Sequence, residues 1–146
     1  MTTQVQIRGA TNATQQARTL ASRELDIDTT NNRLSVHNGS TAGGIEHCSY
    51  VDAQNQTFTY AAASGTNALT ASLAIAPAGY TTGMMVTIKA SATNTGAVTL
   101  NINSLGAKNV YKKDVASGTI TALSAGDIIS GGTYTVVYDG TQCVRS

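Results

Sequence analysis

Residues Glu24 to Thr41 read ELDIDTTNNRLSVHNGST, and this stretch decides how the N-terminal part of the chain folds. Leu25 and Ile27 alternate with Glu24, Asp26 and Asp28, while Leu34 and Val36 alternate with Arg33, Ser35 and His37. Each arm therefore carries one apolar and one polar face. With Thr29 to Asn32 as a four-residue connection, Asp28 pairs with Arg33, Ile27 with Leu34, Asp26 with Ser35, Leu25 with Val36 and Glu24 with His37. That register sets acids against bases on a face expected to be solvated and aliphatics on a face expected to be buried. Asn38-Gly39 has the composition of a type I′ turn, which would return Ser40 and Thr41 beside His37 and Val36. The expected product is a small three-stranded meander.

Upstream, Gln4 to Ile7 alternate and predict a short edge strand ending at Gly9. Thr11 or Asn12 is placed to cap a short helix on which Ala13, Ala17, Leu20 and Ala21 approximate helical spacing. Downstream, Ala42-Gly43-Gly44 ends the compact part, and Glu46 to Gln56 has the polar, irregular composition of a connection. A boundary near Tyr50 divides the chain into an N-terminal docking module, 1–49, and a second domain, 50–146.

From Thr57 onward short strands recur with turn punctuation about every 8 to 12 residues, the pattern of a β-sandwich or barrel. Leu69, Ala71, Leu73 and Ile75 share one face before Pro77 and Gly79. Val86, Ile88 and Ala90 share the next. Thr93 to Gly96 is expected to be a hairpin connection, after which Val98, Leu100 and Ile102 point inward and Thr99, Asn101 and Asn103 outward. Val110 and Tyr111 mark another strand, Ile120 and Leu123 a weak one, and Ile128-Ile129 follows Gly126-Asp127. In TYTVVYDGTQCVRS, Asp139-Gly140 as a two-residue turn sets Tyr138 against Thr141 and Val136 against Cys143. The fold class is mainly β: a small meander followed by an antiparallel, jelly-roll-like sandwich.

Composition narrows the function classes. The 146 residues include no Trp and one Phe, with 5% aromatic and 12% charged side chains. Such a chain buries many small groups and few large ones, which limits the core of an isolated monomer and favours association. The net charge of +1 and the absence of a dense Lys/Arg run argue against nucleic acid. Lys112-Lys113 reads as a solvated strand end beside Asp114. No run of 18 apolar residues suggests membrane insertion, and MTTQVQIRGA lacks the order of a signal peptide, so a soluble chain not exported by that route is expected.

Candidate chemistry is sparse. Cys48 and Cys143 have no metal-ligand spacing between them, and both read as structural thiols, with a disulfide left open. His47-Cys48 lacks further ligands or an orienting acid, His37 being the other histidine. Glu24, Asp26 and Asp28 stand ~6.5 to 7 Å apart along one strand face. That spacing admits a glycosidase pair or a cation site, yet a flat exposed hairpin offers no pocket to raise one carboxyl, and Asp26-x-Asp28-x-Thr30 lacks the glycine and terminal glutamate of a calcium loop. A solvated strand face is the expectation. No catalytic, cofactor-binding or metal-binding residues are assigned, and no cofactor is expected.

The segment RGATNATQQARTLASRELDIDTTNNRLSVHNGSTAGG resembles the N-terminal module of tailed-bacteriophage fibre and tropism-determinant proteins, in which a D-x-D-T strand is followed by a G-R-hydrophobic return and a D-G-T turn. Here Asn38-Gly39-Ser40 stands in place of that last turn. The second half resembles Ala/Thr/Gly-rich β domains of phage fibres, on Gly65 to Ala68, Ala76 to Tyr80, Gly83 to Ala90, Asn94 to Lys108, Gly126 to Ile128 and Gly132 to Thr141. The resemblance implies a non-enzymatic virion structural protein assembled in the bacterial cytoplasm, a homo-oligomeric, expectedly trimeric, capsid decoration or short head or tail fibre. The N-terminal module would anchor it to capsid or tail components. The alternative is a receptor-binding tail-fibre module that recognises host-surface glycan through Tyr80, Tyr111 or the Thr93 to Gly96 loop.

Overall fold

The computed structural model describes residues 8–146 apart from 12, 15, 16, 31, 32 and 115. The strand expected over Gln4 to Ile7 and the cap at Asn12 lie outside those residues. The chain forms two compact units, one ending at Asn55 and the other running from Gln56 to Ser146.

The first unit is a sheet of four strands in sequential order, β1 (Arg8–Ala10), β2 (Leu25–Asp28), β3 (Arg33–Val36) and β4 (Ile45–His47). β2 and β3 pair in the expected register, residue for residue from Leu25↔Val36 to Asp28↔Arg33. β1 adds in parallel to β2. The third antiparallel strand is not Ser40-Thr41 but β4, with Val36 opposite Ile45 and Leu34 opposite His47. Turn chemistry explains the difference. Only Gly39 has a positive φ, +82°, whereas a type I′ turn needs two. The Asn38 Oδ1 instead accepts the Ser40 and Thr41 amides at 3.0 and 2.8 Å, an Asx turn that opens a longer loop to Gly44. A short helix, α1 (Tyr50–Gln54), begins in a capping box in which Ser49 and Asp52 each bond the other's backbone amide. Of the helix expected near Ala13, Ala13 and Thr14 are helical, but residues 18–21 are not.

The second unit holds β5 (Tyr60–Ser64), β6 (Ala68–Ala71), β7 (Met85–Ala90), β8 (Val98–Ile102), β9 (Lys108–Lys113), β10 (Ile120–Ala122), β11 (Thr133–Tyr138) and β12 (Cys143–Arg145). They form one sheet in the order β10-β9-β12-β11-β7-β5-β6-β8, and β8 pairs again with β9. Seven strands thus close into a barrel-like ring. β9 makes this possible by splitting one edge, since Lys108 to Val110 face β8 and Tyr111 to Lys113 face β10. The expectation of an antiparallel sandwich is corrected here: there is a single closed sheet, and β5–β7, β6–β8 and β9–β12 are parallel. Nor is Thr93 to Gly96 a hairpin, because β7 pairs with β5 and β11 and not with β8.

The interior follows the alternation in the sequence. Ala61, Ala63, Leu69, Ala71, Val86, Ile88, Ala90, Val98, Leu100, Ile102, Val110, Val136, Tyr138 and Cys143 fill the ring, with Leu73, Leu123 and Ile128 added to the same core. Four of these are alanines, which suits a narrow barrel whose lumen is filled by side chains. Ile75, expected inside, is exposed, whereas Leu73, also beyond the end of β6 at Ala71, stays in the core. The β11–β12 pairing is offset by two residues from the expected one, with Tyr138 opposite Cys143. Asp139 Oδ1 accepts the Thr141 and Gln142 amides, both at 2.9 Å, which makes Asp139 to Gln142 a four-residue loop. An offset of two preserves facing, so Cys143 is still buried.

Candidate functional site: a sheet with its polar face covered

The register of β2 and β3 puts Leu25, Ile27, Leu34 and Val36 on one face, with Ile45 and His47 of β4 beside them. Asp26, Asp28, Arg33, Ser35 and Glu46 share the other. The expected facing is reversed. Asp26, Asp28 and Ser35 are 0% exposed and His37 1%, while Leu25, Leu34 and Ile45 are 40%, 38% and 53% exposed. The acids are thus not a solvated strip, and only Glu24 of the three is exposed.

A strap formed by residues 18–23 holds the polar face. The Gly43 amide donates to the Arg18 carbonyl at 2.8 Å, and the Arg23 amide to the His37 carbonyl at 2.8 Å. The Leu20 amide donates to His37 Nδ1 at 3.3 Å, and the Ala21 amide to Glu24 Oε2 at 2.8 Å. The Arg18 guanidinium lies 3.3 Å from Asp26 Oδ2, close enough for an ion pair but not aligned as a hydrogen bond. These ties bind residues 18–23 to the sheet. Gly44 lies opposite His37 with φ +71°, and a Cβ there would sit 3.1 Å from the imidazole Nε2, so the absence of a side chain makes room for the ring.

At the other end of the same face, Arg33 bonds Glu46 Oε2 at 3.2 Å and Asp52 Oδ1 of α1 at 2.9 Å. Asp28, the cross-strand neighbour of Arg33, accepts the Thr30 amide through its Oδ1 at 2.8 Å. The hydrogen bond from Arg33 lowers the Asp52 carboxyl below its ordinary range, with Ser49 adding to it. Arg18, Gly44 and Asp52 were not singled out by sequence. The Ser49-x-x-Asp52 spacing and the Gly43-Gly44 pair were the signals available.

Asp26, Ser35 and His37 are the residue types of a nucleophilic triad brought onto one face. Ser35 Oγ and His37 Nε2 nonetheless have no hydrogen-bond partner, so the base does not touch the hydroxyl. His47 and Cys48 are exposed and Cys143 is buried, both thiols being free, so only one of the two expected structural thiols is in a core. Among the described residues, no group of three His, Cys, Asp or Glu side chains is placed to hold a metal ion, and no helix is long and apolar enough to cross a membrane. Lys112 reaches Asp127 at 2.7 Å and not Asp114, whose Oδ1 accepts the Ala116 and Ser117 amides.

In the barrel, two of the groups expected to contact glycan, Asn94 and Tyr80, serve the fold, while Tyr111 is half-buried on β9 and Thr93 and Thr95 are exposed. Asn94 is 1% exposed and fully engaged: Nδ2 donates to the Gly96 and Ser124 carbonyls, and Oδ1 accepts the Ile128 amide. Tyr80 Oη donates to the Gly106 carbonyl at 2.9 Å and accepts the Ile102 amide at 3.0 Å. Its ring lies 5.1 Å from that of Tyr138, with Lys108 Nζ 5.4 Å from its centroid. An open groove of about 460 Å³ runs past Phe58, Leu73, Ile75, Pro77, Met84 and Met85.

A four-stranded sheet with its polar side covered and its apolar side exposed, and a closed β barrel, make a two-unit, mainly β protein. The family likeness resides in the first unit. Residues 5–41 match the family model described as the major tropism determinant N-terminal domain. A tail fiber receptor-binding protein of Bordetella phage BPP-1 is 49% identical over 45 residues, covering 31% of this chain and 12% of that relative. The chain therefore spans only a small part of the relative's length. Solved structures of the major tropism determinant P3c and U1 variants align over 92% of this chain and 37% of theirs, at 20% and 21% identity and TM-scores of 0.32 and 0.31. The match over residues 5–41 agrees with the tropism-determinant resemblance read from the N-terminal sequence.

Proposed function

We propose that the chain is a non-enzymatic structural component of a tailed-phage virion, a short tail fibre, homo-oligomeric and expectedly trimeric, anchored through its N-terminal unit. The observation that carries this reading is the open apolar face of Leu25, Ile27, Leu34, Val36 and Ile45, in a unit whose polar face is already covered. A sheet of that kind is stabilised by a neighbour laid on its apolar side. Closed cyclic symmetry is the default way for identical chains to supply one. The likeness of residues 5–41 to a tropism-determinant domain favours a tail fibre over a capsid decoration.

The receptor-binding alternative draws on the relative's printed role. Under it the barrel would present a surface to a host receptor, and because Tyr80 and Asn94 are occupied within the fold, exposed residues of the groove such as Met85 and Ile75 are better candidates than those two. Purified particles labelled on this chain and imaged at low resolution provide the test. Label at the tail is expected, in copy numbers that are multiples of three. Label on the head or none on the particle would overturn the reading.

A further inference from the structure

We infer that His37 is a proton-sensitive latch, which holds the 18–23 strap across the polar face of the sheet with a neutral ring and releases it on protonation. The inference stands on hydrogen-bond direction. Nδ1 accepts the Leu20 amide, so in the closed state that nitrogen carries no proton and the ring hydrogen sits on Nε2. Nε2 is buried with no hydrogen-bond partner. Adding a proton at Nδ1 would point one N–H at another, which turns a tie into a repulsion, and it would place a cation where the residue is 1% exposed.

The charged groups around the ring decide where it goes next. Glu24, immediately before β2, is directly opposite, its Oε2 taken by the Ala21 amide. Asp26 follows on the same face, paired with Arg18, and Glu46 of β4 lies across from Ser35, paired with Arg33. Arg23 contributes its amide to the His37 carbonyl. Gly44, on the remaining side, brings no charge. Asp28 is buried further along the same face, and Asp52 shares Arg33 with Glu46, so the Arg18 and Arg33 guanidinium groups already engage Asp26, Glu46 and Asp52. Glu24 and Asp26 offer it acceptors once the ring turns away. The Arg18 ties to Gly43 and Asp26 do not depend on the imidazole, so release begins at Leu20 and Ala21 rather than along the whole strap.

The test uses amide exchange by nuclear magnetic resonance on the full chain between pH 7.5 and 5.5. Protection of the Leu20 amide, corrected for the intrinsic pH dependence of exchange, should fall on acidification by up to about tenfold per pH unit. Barrel amides such as that of Ile88 should not follow. His37→Gln keeps an uncharged acceptor and should make Leu20 protection independent of pH. Should that variant fail to fold, the ¹⁵N shifts of the wild-type ring decide: an unprotonated Nδ1 at pH 7.5, with the Leu20 amide shift moving at the ring's midpoint, is expected. Flat Leu20 protection in the wild type, an Nδ1 that bears hydrogen at pH 7.5, or an unaltered pH response in folded His37→Gln would overturn the latch.

Discussion

Asn94→Ala should be among the most damaging single substitutions in the barrel. The side chain joins its own loop to the distant segment 124–128, donating to Gly96 and Ser124 at 2.7 and 2.8 Å and accepting from Ile128 at 2.8 Å. Its backbone completes the staple, accepting the Gly126 amide and donating to Ile128. Alanine removes all three side-chain bonds. The Ile128 amide belongs to a residue that is 0% exposed, so it loses its partner without gaining water, while the Gly96 and Ser124 carbonyls sit nearer the surface and recover some hydration. One stranded donor costs about 1 to 3 kcal/mol and two partly rehydrated acceptors add about 1 kcal/mol, for a total of about 2 to 4 kcal/mol. In a unit of this size that lowers the melting temperature by roughly 8 to 30 °C. Thermal and urea unfolding of the full chain, followed by circular dichroism, reads the change. Asn94→Asp keeps the acceptor for Ile128 but loses both donations and should also be destabilised. A loss below about 0.5 kcal/mol for Asn94→Ala would refute the staple.

Further outcomes follow from other sites. Gly44→Ala puts a Cβ against the His37 ring at a φ of +71° and should destabilise the N-terminal unit by about 1 to 3 kcal/mol, measured by its amide protection. Gly140→Val, at φ +109° and with a Cβ 3.0 Å from Thr82 Oγ1, should similarly lower the barrel's melting point. Burial pushes the Cys143 thiol up to about 11, so iodoacetamide at pH 8 should alkylate Cys48 alone in the folded chain and both thiols in denaturant, as mass spectrometry would show. The hydrogen bond from Lys112 holds the Asp127 carboxyl below its ordinary range. A carboxyl lowered on folding contributes stability above its unfolded value, near pH ~4, which disappears as pH falls through the folded value. Asp127→Asn should therefore flatten part of the acid limb of a stability-against-pH curve without steepening the neutral one.

Much of this was legible in the sequence, and the limits have physical causes. Alternation fixed the partners of Leu25, Ile27, Leu34 and Val36 and the inward sets of β7 and β8, because the two-residue period is a local property of a strand. Which face is covered is not local. Asp26 and Ser35 are buried because the polar strap of residues 18–23 crosses them, and no hydropathy pattern marks that strap. Closure of the barrel rests on β8–β9 and three parallel pairings, and parallel partners are joined by crossovers that turn signals do not reveal. The Asn38-Gly39 and Asp139-Gly140 turns were located correctly but mistyped, since side-chain capping by Asn38 and Asp139 lengthened both loops.

Sedimentation velocity of the full chain at micromolar concentration, with Ile45→Glu alongside, tests most directly the claim that the apolar face is an assembly surface. Ile45 is 53% exposed, so a glutamate there costs the isolated subunit little but places a charge in any contact made by that face. The wild type should sediment as one species of three times the 15.0 kDa chain mass, and the variant should shift toward monomer with its circular dichroism unchanged. A stable wild-type monomer, or an oligomer indifferent to Ile45→Glu, would contradict the account.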